Sequence, residues 1–117
     1  MARIFHITDQ THWQAALTSG EYAADSLSTQ GFIHCSTSEQ VIPVANLWFK
    51  GQKDLLLLEI DADRVSAEIK YENLDHGTEL FPHVYGPIQA LAVINVHDLT
   101  SDPDGLFKLP KSLRNNA

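Results

Sequence analysis

The sequence DLLLLEID at residues 54–61 is the most apolar run of the chain. It is long enough for one strand buried on both faces, which is the usual environment of a central strand. Residues 61–64, DADR, follow with the composition of a turn. We therefore predict a central strand over residues 54–61 and a turn directly after it.

A strand and a helix are predicted at the start of the chain. Ile4–Thr8 has the apolar and branched content of a strand. Thr11 and Gln14 have the spacing of a capping box, so Thr11 is the predicted N-cap and Gly20 the predicted end of the helix. The apolar face of this helix is predicted to contain Trp13, Ala16 and Leu17.

A short strand and a second helix are predicted before the central strand. Residues 22–30 are ambiguous, with one turn of helix expected near their middle, and Phe32–Ser36 is predicted as a short strand. The second helix is predicted to start at Thr37 or Ser38 and to end at Gly51. Its predicted buried positions are Val41, Val44, Ala45, Trp48 and Phe49.

The second half of the chain is predicted to contain mostly strands. Glu68–Glu72 alternates as a partly exposed strand does, and residues 75–78 are predicted as a loop. Two prolines stiffen residues 81–87, and residues 90–99 are predicted as one long final strand. Since helices come early and strands late, we predict the α+β class with a largely antiparallel or mixed sheet.

The chain is predicted to form one domain over residues 1–99. Its 117 residues suffice for one core, and no linker divides them. Residues 100–117 are predicted as an irregular tail that packs on the domain or trails from it. Phe107 and Leu109 are the residues expected to hold the tail against the domain.

Composition excludes several classes of function. Eight basic and fifteen acidic residues give a net charge of -7, which repels phosphate backbones, so extended nucleic-acid binding is not expected. Cys35 is the only cysteine, which excludes an intrachain disulfide and a cysteine-rich zinc site. No histidine pair has the helical HxxxH spacing, and no metal is expected.

The chain is expected to be cytoplasmic, with no membrane contact. Met1-Ala2-Arg3 leads directly into a strand-like run rather than a signal peptide. The longest apolar runs are far too short to cross a bilayer. The sequence does not indicate a protein partner.

The candidate functional residues lie in two strings, GFIHCS at residues 31–36 and FPHVYGP at residues 81–87. Each string places a histidine among apolar and small residues, and imidazole can donate, accept or carry charge near physiological pH. Strand alternation predicts that Phe32, His34 and Ser36 share one face, with Ile33 and Cys35 on the other. The helix N-terminus expected after Ser36 suits a phosphate or carboxylate.

Two further histidines have the same kind of setting. His6 lies in the first strand, whose same face carries Thr8, and His83 alternates with Tyr85. The pattern predicts that His6, His34 and His83 line one cleft. The alternative is structural: a buried histidine bonded to the backbone for His6 and His34, and a stiff turn for His83.

Several stretches of the chain together resemble one known family. The stretches are both histidine strings, in this order, the opening IFHI at residues 4–7, LEID at residues 58–61 and Tyr71-Glu72. They resemble the bacterial domain-of-unknown-function 952 family, and the resemblance extends from residue 3 to about residue 99. That family is grouped with the ADP-ribosyltransferase-like fold, which includes the RNA 2'-phosphotransferases. The resemblance implies a split sheet, in which two small packed sheets, mostly antiparallel, hold NAD or a related nucleotide in a cleft. It implies two main helices in the first half.

The resemblance transfers to single residues only in part. His6 is similar to a first-strand histidine that holds the adenosine ribose of NAD. Toxin-like members use a glutamate on a late strand to assist loss of nicotinamide, but residues 90–99 contain none and Glu72 lies earlier. The candidate catalytic residues are His34, His6 and His83. The candidate ligand-binding residues are Ser36, Thr8, Tyr85, Phe32 and Glu72.

Two functions follow as hypotheses. The first is a transferase acting on NAD, ADP-ribose or a phosphorylated nucleotide in a histidine-lined cleft, and the concentration of histidines favours it. The second is a module of the same fold that binds or senses a nucleotide without turning it over. The missing late-strand glutamate and the few cationic residues favour this second hypothesis.

Overall fold

The computed structural model describes residues 2–73, 77–110 and 113. Within these residues there are three α-helices, two short 3-10 helices and eight strands. The helices are α1 (Gln10–Ser19), α2 (Asp25–Gln30) and α3 (Val41–Trp48). The strands are β1 (Arg3–Asp9), β2 (Glu21–Tyr22), β3 (Ile33–His34), β4 (Leu55–Asp61), β5 (Ile69–Glu72), β6 (Phe81–Val84), β7 (Ile88–Gln89) and β8 (Val93–Leu99).

The described strands form three small sheets, all antiparallel, with the orders β1-β4-β8, β2-β7 and β3-β6-β5. The predicted α+β class is therefore confirmed. The strands are divided among three sheets, of which the pair β2-β7 has only two residues in each strand. None of the described helices has the length and apolar character needed to span a membrane.

Strand β4 has the predicted central position, since it pairs with β1 on one side and β8 on the other. All seven of its residues are buried. Because strand side chains alternate, Leu56, Leu58 and Ile60 join one apolar cluster. Leu55 and Leu57 join a second cluster, which contains α3 and the tail. The apolar run thus serves two cores at once.

Helix α1 begins two residues earlier than the capping-box spacing predicts. Asp9 is its N-cap, and the Asp9 carboxylate accepts the backbone N–H of His12 at 2.9 Å. A carboxylate at the end of β1 thus supplies the cap, and the prediction of Thr11 was wrong. Gly20 ends the helix in the left-handed conformation as expected, whereas Leu17 is 52% exposed rather than packed.

Strand β3 is shorter than the predicted Phe32–Ser36, and Pro82 explains the difference. The carbonyl of Pro82 accepts the Cys35 N–H at 3.0 Å, but proline has no N–H to return. The ladder with β6 therefore ends, and Ser36 instead exchanges both backbone hydrogen bonds with Phe5 of β1, at 2.7 and 2.8 Å. The chain from His34 to Ser36 passes from one sheet to another.

Helix α3 also departs from the prediction. It begins at Val41 and contains the expected core residues Val41 and Ala45, but Trp48 is 69% exposed rather than buried. The predicted final strand begins only at Val93, because residues 90–92 form a 3-10 helix. Of the predicted loop at residues 75–78, residues 75 and 76 lie outside the described part of the chain.

The start of the tail packs on the domain. Phe107 is 2% exposed and belongs to the core cluster around α3, and Leu109 packs against the same cluster. Asn46 of α3 accepts the Phe107 N–H at 2.6 Å and donates to the Phe107 carbonyl at 3.2 Å. The two expected contacts of the tail are therefore present.

Candidate functional site

A cavity of about 550 Å³ lies among β1, the β3-β6-β5 sheet and α3. This volume is in the range of small-molecule sites, about 300–1,000 Å³. Its lining residues are Phe5, His6, Ile7, Gln30, Phe32, His34, Cys35, Ser36, Val44, Trp48, Phe49, Glu72, Asn73, Phe81 and His83. Six of the eight candidate site residues are among them, so the three histidines share one cavity as predicted.

The register of the β3-β6-β5 sheet explains how the polar side chains reach the cavity. His34 lies directly opposite His83, and Glu72 lies opposite Phe81. Alternation then sends the neighbours Ile33 and Val84 to the other face, where both are fully buried in the core. One face of the sheet belongs to the core, and the other carries the candidate site.

Phe32 holds the two histidine rings in place. Its ring stacks on that of His83, with centroids 4.3 Å apart, and meets that of His34 edge-on at 4.8 Å. The two imidazole rings are 5.4 Å apart. Phe32 is 5% exposed and packs against both histidine rings. A ligand-binding role for Phe32 would need an accessible ring face, and little of this ring is accessible.

Glu72 fixes the orientation of His83. The Glu72 carboxylate only accepts hydrogen bonds, so His83 donates to it from Nδ1 at 3.0 Å, and the Tyr85 hydroxyl donates to the same oxygen. These bonds, the one from Tyr85 above all, lower the pKa of Glu72. The bond to Glu72 raises the pKa of Tyr85. Glu72 is therefore a carboxylate, and in neutral His83 the lone pair lies on Nε2.

His83 is one of the residues that line the cavity. The residue is 5% exposed. Among the described residues, every buried side-chain nitrogen or oxygen has a hydrogen-bond partner. The bonds of the described residues engage only Nδ1 of this ring. A histidine ring that lines a cavity and has Nδ1 held by a carboxylate has the geometry of a general base that would act through Nε2. Beside it, His34 donates from Nε2 to Gln30 Oε1 at 2.8 Å.

His6 lines the cavity with both ring nitrogens bonded inside the protein. Nδ1 donates to the His34 carbonyl at 2.6 Å, and Nε2 lies 2.7 Å from the Tyr22 hydroxyl. Burial lowers the pKa of His6 to about 4, so the ring is neutral at pH 7. Burial likewise raises the pKa of Tyr22 to about 12. A ligand reaches a His6 nitrogen only by displacing one of these partners, which favours a positioning role.

Two candidates lie outside the cavity lining. Thr8 lines a second cavity of about 220 Å³, and its hydroxyl shares a hydrogen bond with that of Tyr22 at 2.9 Å. Tyr85 acts on the site through Glu72 and lies under Lys70, whose Nζ is 4.9 Å from the ring centroid. The contribution of α3 also differs from the prediction, because Val44 and Trp48, not the N-terminus of the helix, line the cavity.

Three residues of the site were missed by the sequence reasoning. Gln30 and Tyr22 bond to candidate histidines but lie in a segment of ambiguous pattern. Trp48 has the spacing of a core residue, so no local signal distinguishes its exposed position. Cys35 is buried as predicted, and burial raises the pKa of its thiol, which keeps the thiol protonated and disfavours a nucleophilic role.

The other histidines lie away from this cavity. His97, which the sequence treats as incidental, is buried and donates to Glu59 at 2.8 Å. His12 pairs with Asp9 on the surface at 2.8 Å, and His76 is outside the described residues. In the part of the chain that the structure describes, no three His, Cys, Asp or Glu side chains are grouped to hold a metal ion. The expectation of no metal stays a prediction.

The fold and site define an α+β protein with a histidine-lined cavity, and the comparisons give its family. The chain belongs to the family described as "Protein of unknown function (DUF952)", whose model matches residues 7–96. It is similar to the crystal structure of protein CC0527 from Caulobacter crescentus, at 34% identity and a TM-score of 0.82, covering 92% of this chain and 94% of that one. The solution NMR structure of CC0527 matches at 31% identity and a TM-score of 0.72, covering 100% of this chain and 97% of that one. No curated protein matches the chain.

Proposed function

We propose that the protein is a transferase of the ADP-ribosyltransferase-like fold that acts on NAD, ADP-ribose or a phosphorylated nucleotide. The observation that carries this proposal is the pair His34 and His83 on one cavity, with His83 oriented by Glu72 at 3.0 Å. A base assists transfer of a group to a hydroxyl or to water by taking the proton of the attacking oxygen, and neutral His83 has a lone pair on Nε2 for this role.

The cavity has the composition that such a ligand needs. Apolar side chains from α3 and the start of β6 suit a planar ring, whereas His34, His83 and Ser36 suit ribose hydroxyls or phosphate. NAD would supply a glycosidic bond with a good leaving group, nicotinamide. Among the described residues that line the cavity, Glu72 has the only full negative charge, and the bonds from His83 and Tyr85 occupy one of its oxygens.

The second candidate is a module that binds the same ligands without turnover. It is favoured by the absence of lysine and arginine among the described cavity-lining residues, because transfer reactions of phosphorylated ligands commonly use such cations. The two candidates share one binding site and differ in whether a bond is broken.

The test measures release of nicotinamide from NAD and, in parallel, calorimetric binding of NAD, ADP-ribose and AMP. A transferase that uses NAD releases nicotinamide, and one that uses ADP-ribose or a phosphorylated nucleotide converts that ligand to a product that chromatography detects; His83→Ala abolishes either reaction. Saturable binding of ligands that are recovered unchanged supports the module instead. Absence of both release and binding with every ligand contradicts the proposal.

Glu72→Gln tests the positioning of His83. The amide keeps an oxygen acceptor but loses the charge, so we expect kcat to fall by about 10-fold or more. Glu21→Gln makes the same substitution at an exposed residue of β2 outside the cavity lining and is the control. Equal kcat in wild-type and Glu72→Gln proteins would remove Glu72 from the mechanism.

A further inference from the structure

Helix α3 forms part of an apolar wall of the cavity. Val44 and Trp48 are four residues apart on α3, so they lie on one side of the helix, and both line the cavity. Val41 and Ala45 occupy adjacent positions on the same apolar face of α3 and are buried in the core. One edge of this apolar face therefore packs in the core, and the other edge lines the cavity.

Trp48 differs from the other aromatic residues of the wall in being open. It is 69% exposed, although burial of a tryptophan ring is strongly favourable. The ring of Phe32 is already covered by His83, and Phe5 is buried. Trp48 thus offers the largest accessible aromatic surface among the described residues that line this cavity.

We propose that the planar ring of the nucleotide stacks on Trp48 while its ribose and phosphate reach His34 and His83. This inference rests on the proposed function, and it adds that the cavity wall containing Trp48 holds the ring. Since no lysine or arginine is among the described lining residues, stacking rather than charge has to supply much of the affinity for the ring end. A ring in this position also covers the exposed indole.

Three ligands that share ribose 5-phosphate test this inference. AMP adds adenine, nicotinamide mononucleotide adds nicotinamide, and ribose 5-phosphate has no ring. The chain has two tryptophans, so Trp13→Phe leaves Trp48 as the only indole. In that variant, we expect AMP or nicotinamide mononucleotide to quench the fluorescence and ribose 5-phosphate to leave it unchanged. The ligand that quenches more identifies the preferred ring.

Affinities measured by calorimetry test the same inference without the Trp13→Phe variant. Trp48→Ala is expected to weaken binding of the ring-bearing ligands by about 5- to 150-fold, the range of base–aromatic stacking, and to leave ribose 5-phosphate binding unchanged. Trp48→Phe is expected to retain part of the affinity. The matched control is Leu47→Ala, which truncates a neighbouring side chain that is 72% exposed but does not line the cavity.

The outcomes separate this inference from the proposed function. If Trp48→Ala binds AMP and nicotinamide mononucleotide as tightly as wild type while His34→Ala weakens all three ligands, the ring lies elsewhere and the proposed function stands. If wild-type protein binds none of the three ligands and neither NAD nor ADP-ribose, both the inference and the proposed function are contradicted.

Discussion

At the scale of single residues, His6 shows how the protein makes a polar group fit an apolar interior. Its ring is buried, both nitrogens are bonded, and burial holds its pKa at about 4 instead of the ordinary 6.5. Between these two pH values, the unfolded chain binds a proton that the folded protein does not. The contribution of neutral His6 to the free energy of unfolding is fully present above pH 6.5. It falls by about 3 kcal/mol as the pH drops from 6.5 toward 4.

His6→Asn is expected to reduce this dependence on pH. The amide can still donate to the His34 carbonyl but does not titrate. The free energy of unfolding in urea is measured at pH 7 and at pH 5. The decrease between these pH values should be larger by about 2 kcal/mol in wild-type protein than in the variant.

His12→Asn is the control for this measurement. The bond to Asp9 raises the pKa of His12, so its contribution is present below pH 6.5 and is lost as the pH rises through the raised value. Removing His12 should therefore not reduce the loss on acidification. Equal losses in wild-type and His6→Asn proteins would contradict the buried, neutral state of His6.

At the scale of elements, α1 offers a direct comparison between a predicted cap and an observed one. Asp9→Ala should destabilise the protein by about 1 kcal/mol, because the His12 N–H loses its acceptor at the helix N-terminus. Thr11→Ala should stay within ~0.5 kcal/mol, since Thr11 is already inside the helix. Thermal unfolding of both variants decides the matter, and a larger cost for Thr11→Ala would overturn the assignment.

The predictions for elements succeeded where the information was local. The run at residues 54–61 identified β4, and Gly20 identified the end of α1. The errors arose from distant partners. Pro82 ends the ladder of β3 from 48 positions away in the chain, and the exposure of Trp48 depends on a cavity built by other elements. An apolar helix pattern does not tell which residues of the apolar face pack in the core and which line a cavity.

At the scale of the whole molecule, the start of the tail completes the second core. Phe107 fills the cluster between α3 and the β1-β4-β8 sheet. Phe107→Ala should therefore cost about 3–5 kcal/mol in the free energy of unfolding. Its neighbour Leu106 is 38% exposed, so Leu106→Ala should cost far less. Equal stabilities of the two variants, measured by urea unfolding, would show that the tail is dispensable.

The site itself depends on contacts between sheets. The sequence predicted that His6, His34 and His83 share one cavity, because each lies in an apolar segment where a polar group needs a reason. It did not predict that Glu72 bonds to His83 or that Tyr22 bonds to His6, because neither the register of β5 against β6 nor the contact between β2 and β1 can be read from the residue pattern. Their roles in function stay predictions.

The most direct test of the central claim is a two-dimensional ¹H–¹⁵N NMR titration of the wild-type protein with ADP-ribose, NAD and AMP. The account predicts saturable shifts concentrated at the cavity, above all for His34, Ser36, His83 and the indole of Trp48. Signals of residues on the opposite face, such as Ile33 and Val84, should move less. Absence of shifts with all three ligands, or shifts confined to residues outside the cavity lining, would contradict a nucleotide site among these histidines.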